Sequence, residues 1–224
     1  MGLGRLSEVV LLGAHCDDLA IGAGATLAVL AAANPGLVVR ALVLTGAGGE
    51  REAEEQAALT ALLPGADLDL AVLGLPDGRL PEHRGAVKAA VEELARVTAP
   101  DLILAPRRTD AHQDHRLVAA IAPTAYRDAF ILGYEILKWE DDLGAVPVLH
   151  PVPDAAAEHK VASITSHYPS QAHHDWFDRE AFLALMRVRG VQCHHRYAEA
   201  FTTEKLVIST GARGTGTTPT TTAG

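Results

Sequence analysis

The sequence predicts an α/β domain: a Rossmann-like, mostly parallel sheet with helices on both faces and an irregular C-terminal third. Three observations predict it. Short apolar, β-branched runs alternate with longer segments of helical character through the first two-thirds of the 224 residues. Turn-forming Pro and Gly fall between them, at Asn34-Pro35-Gly36, Pro64-Gly65 and Pro76-Asp77-Gly78. Chargeable residues gather just after the apolar runs, where open α/β sheets bind their ligands.

Glu8–Ala14 reads as the first strand because Val9 to Leu12 is an unbroken apolar run. The small, apolar segment Ile21–Ala33 reads as a helix stopped by Asn34-Pro35-Gly36. Leu37–Leu44 is the second strand, and Glu50–Leu63 a helix whose acidic first turn suits the helix dipole. Leu68–Leu73 is a short third strand, Pro81–Val97 an amphipathic helix and Asp101–Ala105 the fourth strand. Asp110 is placed to N-cap a helix from Ala111, with Gln113 at the capping-box position. Phe130–Ile136 reads as a fifth strand. This alternation implies right-handed crossovers. Beyond it, Glu140–Gly144 and Pro147–Pro153 read as a Pro-rich irregular connection, Ala155–His167 and Trp176–Gly190 as helices, and Leu206–Ser209 as a closing strand. One domain is expected over 1–210, followed by a disordered Gly/Thr-rich tail over 211–224.

Composition narrows the function classes. Hydrophobic residues make up 48%, and no apolar run approaches the roughly 18–20 residues that span a bilayer. The first residues show no basic segment, sustained apolar stretch and cleavage site, so no signal peptide is expected. Cys16 and Cys193 do not make a disulfide framework, which points to a reduced, cytoplasmic setting. A formal charge of −9 argues against nucleic acid as partner. Eleven histidines against four Phe and two Trp point to metal or proton chemistry. A homo-oligomer is compatible with the sequence and is not decided by it.

The strand tips locate that chemistry. The first strand stops at His15, Asp17 and Asp18. A divalent metal would neutralise such a group, with His15 and one Asp as ligands and the other Asp free as a base; an Asp N-cap beside a strand-end His is the plain structural alternative. The second strand ends in the flexible loop Thr45-Gly46-Ala47-Gly48-Gly49-Glu50-Arg51, the third before Asp77, and the fourth in Arg107-Arg108-Thr109-Asp110-Ala111-His112-Gln113-Asp114-His115. His112 and His115 share a helix face, so one suits a metal and the other a substrate. Asp114 suits the role of orienting an imidazole. One of Arg107 and Arg108 is expected as a counter-ion to the acidic site. Neither G-x-G-x-x-G nor G-x-x-x-x-G-K-[ST] is present, and Gly22-Ala23-Gly24 reads as close helix packing.

Ala14-His15-Cys16-Asp17-Asp18 and His112-Gln113-Asp114-His115 resemble the A-H-P-D-D and H-x-D-H motifs of the LmbE-like, or PIG-L, family of zinc-dependent N-deacetylases, which includes N-acetylglucosaminyl deacetylases. The resemblance continues through Gly49-Glu50-Arg51 with Glu54, Leu75-Pro76-Asp77-Gly78, Tyr134-Glu135, Tyr168-Pro169-Ser170-Gln171 and Tyr197-Ala198-Glu199-Ala200-Phe201. Cys16 departs from the usual Pro, and Leu19 from a common acidic residue. The resemblance implies Zn2+ held by His15, Asp18 and His115, with Fe2+ or Co2+ as alternatives by ligand type. It implies Asp17 as general base and His112, oriented by Asp114, as the imidazole that meets the oxyanion or the leaving amine. Arg51 and Asp77 are the candidate substrate contacts. The implied reaction is hydrolysis of an N-acetylglucosaminyl conjugate to acetate and a free amine, on a small-molecule substrate linked to lipid, inositol, a thiol conjugate or a natural product. Two alternatives stand beside it. His15-x-Asp17…His also fits the triad of non-heme iron oxygenases, whose H-x-D versions usually sit on double-stranded β-folds. A non-catalytic metal- or sugar-binding protein of the same fold would be favoured if Asp17 or His112 were missing, and both are present. His173-His174 and His194-His195 read as solvated surface pairs.

Overall fold

The computed structural model describes residues 3–207. Within them one sheet contains β1 (Glu8–Gly13), β2 (Val38–Val43), β3 (Asp67–Val72), β4 (Leu102–Pro106), β5 (Ile131–Tyr134), β6 (Val148–Val152) and β7 (Tyr197–Thr202). Their order is β3-β2-β1-β4-β5-β7-β6. The first five are parallel, while β7 pairs antiparallel with both β5 and β6. The helices are α1 (Asp18–Ala33), α2 (Glu50–Leu62), α3 (Arg84–Val97), α4 (Gln113–Ala125), α5 (Asp154–His167) and α6 (Arg179–Gln192). None is long and apolar enough to cross a membrane.

β1 shows why the sheet is covered on both sides. Its side chains alternate between faces: Val9 and Leu11 join the core made with α1, α2, α5 and α6, while Val10 and Leu12 join the core made with α3 and α4. Four consecutive apolar residues are what a strand between two helical layers requires. α1 is buried along most of its length, in keeping with apolar residues on every side. Its Gly22 lies against Tyr134, whose hydroxyl donates to the Leu12 carbonyl at 2.8 Å. A Cβ on Gly22 would come within 2.7 Å of the Tyr134 ring carbon Cγ. Next to it the buried Lys160 ammonium donates to the Ile21 carbonyl and to Glu199 Oε1, both at 2.6 Å. Glu199 in turn accepts from the Ala25 and Thr26 N–H groups. Gly22-Ala23-Gly24 is therefore a packing segment, as expected.

The early elements match their expected bounds closely; the later third is where expectation and structure part. The segment expected to be irregular at 147–153 contains β6, which tolerates Pro151 because it is an edge strand. The last helix begins at Arg179, not at Trp176, because the Asp178 carboxylate caps it by accepting from the Ala181 N–H at 2.8 Å. Leu206 and Val207 are not in a strand, and Ser209 lies outside the described residues; the closing strand is β7. β7 escaped notice because Glu199 interrupts its apolar pattern and is neutralised only by the distant Lys160. The helix expected from Ala111 starts at Gln113, with His112 and not Asp110 as its cap. A single 3₁₀ turn, Leu80–His83, occupies the expected start of α3. The expected disordered tail, 211–224, lies outside the described residues.

Candidate active site

The strand order reverses at β1: the chain moves outward to β2 on one side and starts again at β4 on the other. Open α/β sheets leave a crevice at such a point, outside the carboxyl ends of the two central strands. β1 delivers residues 14–18 to it and β4 delivers residues 107–115. The two histidine-bearing segments, far apart in the chain, thus become neighbours.

Three donors form a tight triangle there. His15 Nδ1 and His115 Nε2 are 3.1 Å apart. Asp18 lies 3.1 Å from His115 Nε2 through Oδ1 and 3.6 Å from His15 Nδ1 through Oδ2. Ligands at zinc distances of about 2.0–2.1 Å in a tetrahedron sit about 3.3 Å from one another, so the triangle fits one face of such a coordination shell. Asp18 is held by the N–H groups of Ala14 and His15, which donate to Oδ2 at 2.8 and 2.9 Å. The far nitrogens meet carboxylates: His15 Nε2 lies 3.2 Å from Asp114 Oδ2 and 3.0 Å from Asp77 Oδ1. His115 Nδ1 lies 3.1 Å from Asp110 Oδ1, but off the N–H direction, so that contact is electrostatic more than a formed hydrogen bond. Carboxylates behind metal-binding imidazoles are a recurrent arrangement.

Electrostatics point the same way. Burial disfavours charge on His15 and His115, yet the Asp18 charge and the carboxylate contacts outweigh it. His15 is raised well above the ordinary imidazole range and His115 to about 9. Asp18, despite its own burial, is held well below the carboxylate range by the two imidazoles. Two imidazole nitrogens and one carboxylate thus converge on a point that a divalent cation fits. Other groupings lie within reach: His112 joins His15 and His115 in a cluster with donor atoms within 4.8 Å, as do Asp77 and Asp114 with His15. The His15–Asp18–His115 set is the more deeply buried, since Asp77 is exposed and His112 only half-buried.

Asp17 sits beside the triangle with φ 122° and ψ −25°, a conformation a non-glycine residue rarely adopts. Such a backbone costs on the order of 1–3 kcal/mol and persists only when its surroundings enforce it. The enforcing groups come from α2 and from the turn after α5. Glu55 Oε2 accepts from the Asp17 N–H at 2.8 Å and from the Tyr168 hydroxyl at 2.7 Å. Arg51 Nη2 donates to Asp17 Oδ2 at 2.9 Å and to the Cys16 carbonyl. Burial pushes the Asp17 carboxyl up to about 7 against the pull of Arg51. Burial likewise pushes Glu55 up to about 8, against its Tyr168 hydrogen bond and with the Asp17 charge adding to the rise.

His112, the cap of α4, accepts the Asp114 N–H at its Nδ1 at 3.3 Å. In the neutral ring this network leaves the proton on Nε2, a hydrogen-bond donor. Burial first, then the charges of His15 and His115, lower its pKa below the ordinary value. The rings of His15 and His115 each lie 4.8 Å away.

Several expected roles change. The Asp114 carboxylate does not touch His112; it accepts from the Gly78 and Leu80 N–H groups at 2.8 and 3.0 Å and faces His15. Asp110, expected only as a cap, faces His115 instead. Arg51, expected at the substrate, has its fork occupied by Asp17, the Cys16 carbonyl and Ser170 Oγ at 3.1 Å. Asp77 keeps 75% of its side chain exposed beside His15 and remains available. Arg107, expected with Arg108 as a candidate counter-ion to the acidic site, is buried against Glu135 and Asp142 instead; Arg108 is exposed and pairs with Glu204. Glu55 and Tyr168 were missed as functional positions. The signals were the acidic pair Glu54-Glu55 on one turn of α2 and the Tyr168-Pro169-Ser170-Gln171 segment of the resemblance. Cys16 packs away from the triangle: its Sγ donates to the Thr45 carbonyl at 3.5 Å, burial pushes its thiol far above the ordinary range, and its Sγ would lie 2.8 Å from a Cβ on Gly46, where φ is +102°.

The model of the family described as PIG-L, GlcNAc-PI de-N-acetylase, matches residues 10–126, more than half the chain. The fold is similar to that of a conserved protein from Thermus thermophilus, with 26% identity over 94% of this chain and 100% of that one and a TM-score of 0.69. It is also similar to the N,N'-diacetylchitobiose deacetylase of Pyrococcus horikoshii (19% identity, 89% and 84% covered, TM-score 0.64). A third likeness is to GalB, the 4-carboxy-2-hydroxymuconate hydratase of Pseudomonas putida (16% identity, 92% and 99% covered, TM-score 0.67). At these last two identities the likeness concerns the fold, which serves more than one reaction.

Proposed function

The chain belongs to the PIG-L, or LmbE-like, family, and from that premise we propose that it is a metal-dependent hydrolase that removes the acetyl group from an N-acetylated amino sugar conjugate. The observation that carries the reading is the His15–Asp18–His115 triangle with Asp17 beside it and off it. His15, Asp18 and His115 would hold the metal, zinc by donor type, and a metal held by three protein ligands supplies an acidified water and polarises a carbonyl oxygen.

The rest of the chemistry falls to the chain. Arg51 occupies Asp17 Oδ2, so Oδ1 is the oxygen left to take the proton of the attacking water. With a pKa near neutrality, Asp17 is matched to receive that proton and to pass it to the leaving amine nitrogen. His112 Nε2–H donates to the oxygen that becomes negative as the carbonyl turns tetrahedral. Because Nδ1 is engaged by the Asp114 N–H, His112 serves better as this donor than as the acid for the amine. Asp110 and Asp114 hold the imidazoles of His115 and His15, and Asp77 remains the candidate substrate contact. Both cysteines are free thiols, in keeping with a reducing compartment such as the cytoplasm. We assign the activity to a single domain over 1–210.

The hydratase likeness gives the competing reading, since the same base and metal would suit addition of water to a carbon–carbon double bond. Acetate release from N,N'-diacetylchitobiose separates the two. It is expected with metal, lost with chelator and restored by zinc. Asp17→Asn is expected to lower turnover by about 10²–10⁴-fold with full metal content, whereas Asp18→Ala is expected to lose the metal itself. Metal-replete protein that releases no acetate from N-acetylated sugars would overturn the reading.

A further inference from the structure

The chain has two tryptophans, and both lie in one patch. Trp139 follows β5 and is 65% exposed. Trp176 lies in the turn between α5 and α6, its ring centroid 6.2 Å from that of Trp139 and nearly perpendicular to it. His174 stacks on Trp176 at 5.8 Å and meets the Trp139 ring edge to face at 5.4 Å. The Trp139 indole Nε1–H donates to Asp175 Oδ1 at 2.6 Å. One large indole is thus fixed at its edge by a hydrogen bond and two aromatic contacts, while most of it faces outward. A tryptophan held in that way forgoes the burial that normally offsets ordering it.

Both walls of the patch are tied to the site. Beside Trp139, Lys138 Nζ donates to Asp110 Oδ2 at 3.0 Å and Asp142 Oδ2 at 2.6 Å, and Asp110 faces His115. On the other wall, Ser170 donates through N and Oγ to Glu54 and accepts from Arg51, which holds Asp17. The patch therefore stands on two segments braced against the groups around the triangle.

We propose that Trp139, backed by His174 and Trp176, is a stacking platform for a second pyranose ring, joined to the N-acetylated sugar whose amide is cleaved. The proposal rests on the deacetylase reading above and extends it to the substrate's neighbouring unit. The C–H face of a pyranose is apolar and carries slight positive charge at its hydrogens, the complement of the negative face of an indole. The hydroxyls at the rim of such a ring need donors and acceptors, which the second carboxylate oxygen of the exposed Asp175 at the indole edge and the exposed His173, packed on His174, offer. An apolar face ringed by hydrogen-bonding groups fits a sugar better than it fits an aliphatic chain.

Because both tryptophans are in the patch, tryptophan emission, excited at the red edge where tyrosine does not absorb, reports on it. Metal-loaded Asp17→Asn protein is titrated with N,N'-diacetylchitobiose and with N-acetylglucosamine. A saturable change in emission with the disaccharide is expected, at concentrations where the monosaccharide gives little. Trp139→Ala should weaken disaccharide binding about tenfold, measured by calorimetry, and Trp139→Phe should keep most of it. In the otherwise unaltered enzyme, the disaccharide-to-monosaccharide ratio of kcat/KM should fall about tenfold in Trp139→Ala. Equal losses on both substrates, or no emission change from a disaccharide that is turned over, would sink the platform. An aryl N-acetylglucosaminide bound more tightly than the disaccharide would also overturn it, in favour of an aromatic aglycone. Should no sugar be deacetylated, the hydrolase reading fails, and the titration still decides the platform.

Discussion

In the proposed reaction Asp17 takes a proton at neutral pH, which needs a pKa near that range, and burial and Arg51 are the two largest influences on it. Burial raises it to about 7, and Arg51, 2.9 Å away, restrains the rise. The base works only when ionised, so activity rises with pH as Asp17 loses its proton. Removing the guanidinium in Arg51→Gln takes away the largest influence that opposes burial, and the acid limb of the kcat/KM profile should move to higher pH by on the order of one unit. An unmoved limb in the variant would detach Arg51 from the base. His15, Asp17, Asp18, His112 and His115 were legible in the sequence because each motif is a few residues long and sits at the tip of a strand. Glu55 and Asp110 were not, because their roles depend on burial and on partners elsewhere in the chain. Glu55 reaches Asp17 across 38 residues and Tyr168 across 113. A solvated acidic helix face would have produced the same local pattern.

α1 starts at the loop that bears His15, Asp17 and Asp18 and lies close to the sheet, which places that loop at the crevice. Gly22 makes that approach feasible, with Tyr134 filling the space a side chain would occupy. Gly22→Ala gains about 0.8–1 kcal/mol in helix propensity but forces a methyl into the Tyr134 ring, which typically costs about 1–3 kcal/mol. The balance at so short an approach is destabilising, and thermal melting should show a lower Tm; a higher one would mean that α1 has room to move. The parallel strands were readable since central strands buried on both faces show as apolar runs. β6 and β7 lack that signature. β6 contains a proline, permitted only by its edge position, and β7 contains a glutamate whose partner is 39 residues away.

At the scale of the whole molecule, the buried pair Lys160–Glu199 joins α5, β7 and the middle of α1. Removing one member leaves the other charged and buried, a loss of about 3–5 kcal/mol. Lys160→Met should therefore lower stability to urea by that amount, and Lys160→Met with Glu199→Gln should recover part of it. Additive losses in the pair of substitutions would show the contact to be incidental. The family match ends at residue 126, after both histidine-bearing segments of the site, whereas the two aromatic walls fall at 138–142 and 170–176. The donors of the triangle and the aromatic residues of the rim thus come from separate stretches of the chain, so a substitution in one need not touch the other. A lineage can rewrite the rim, lengthen it or exchange its aromatic residues without altering a single donor atom of the reacting centre. What such descendants accept as a substrate would then diverge faster than what they do to it.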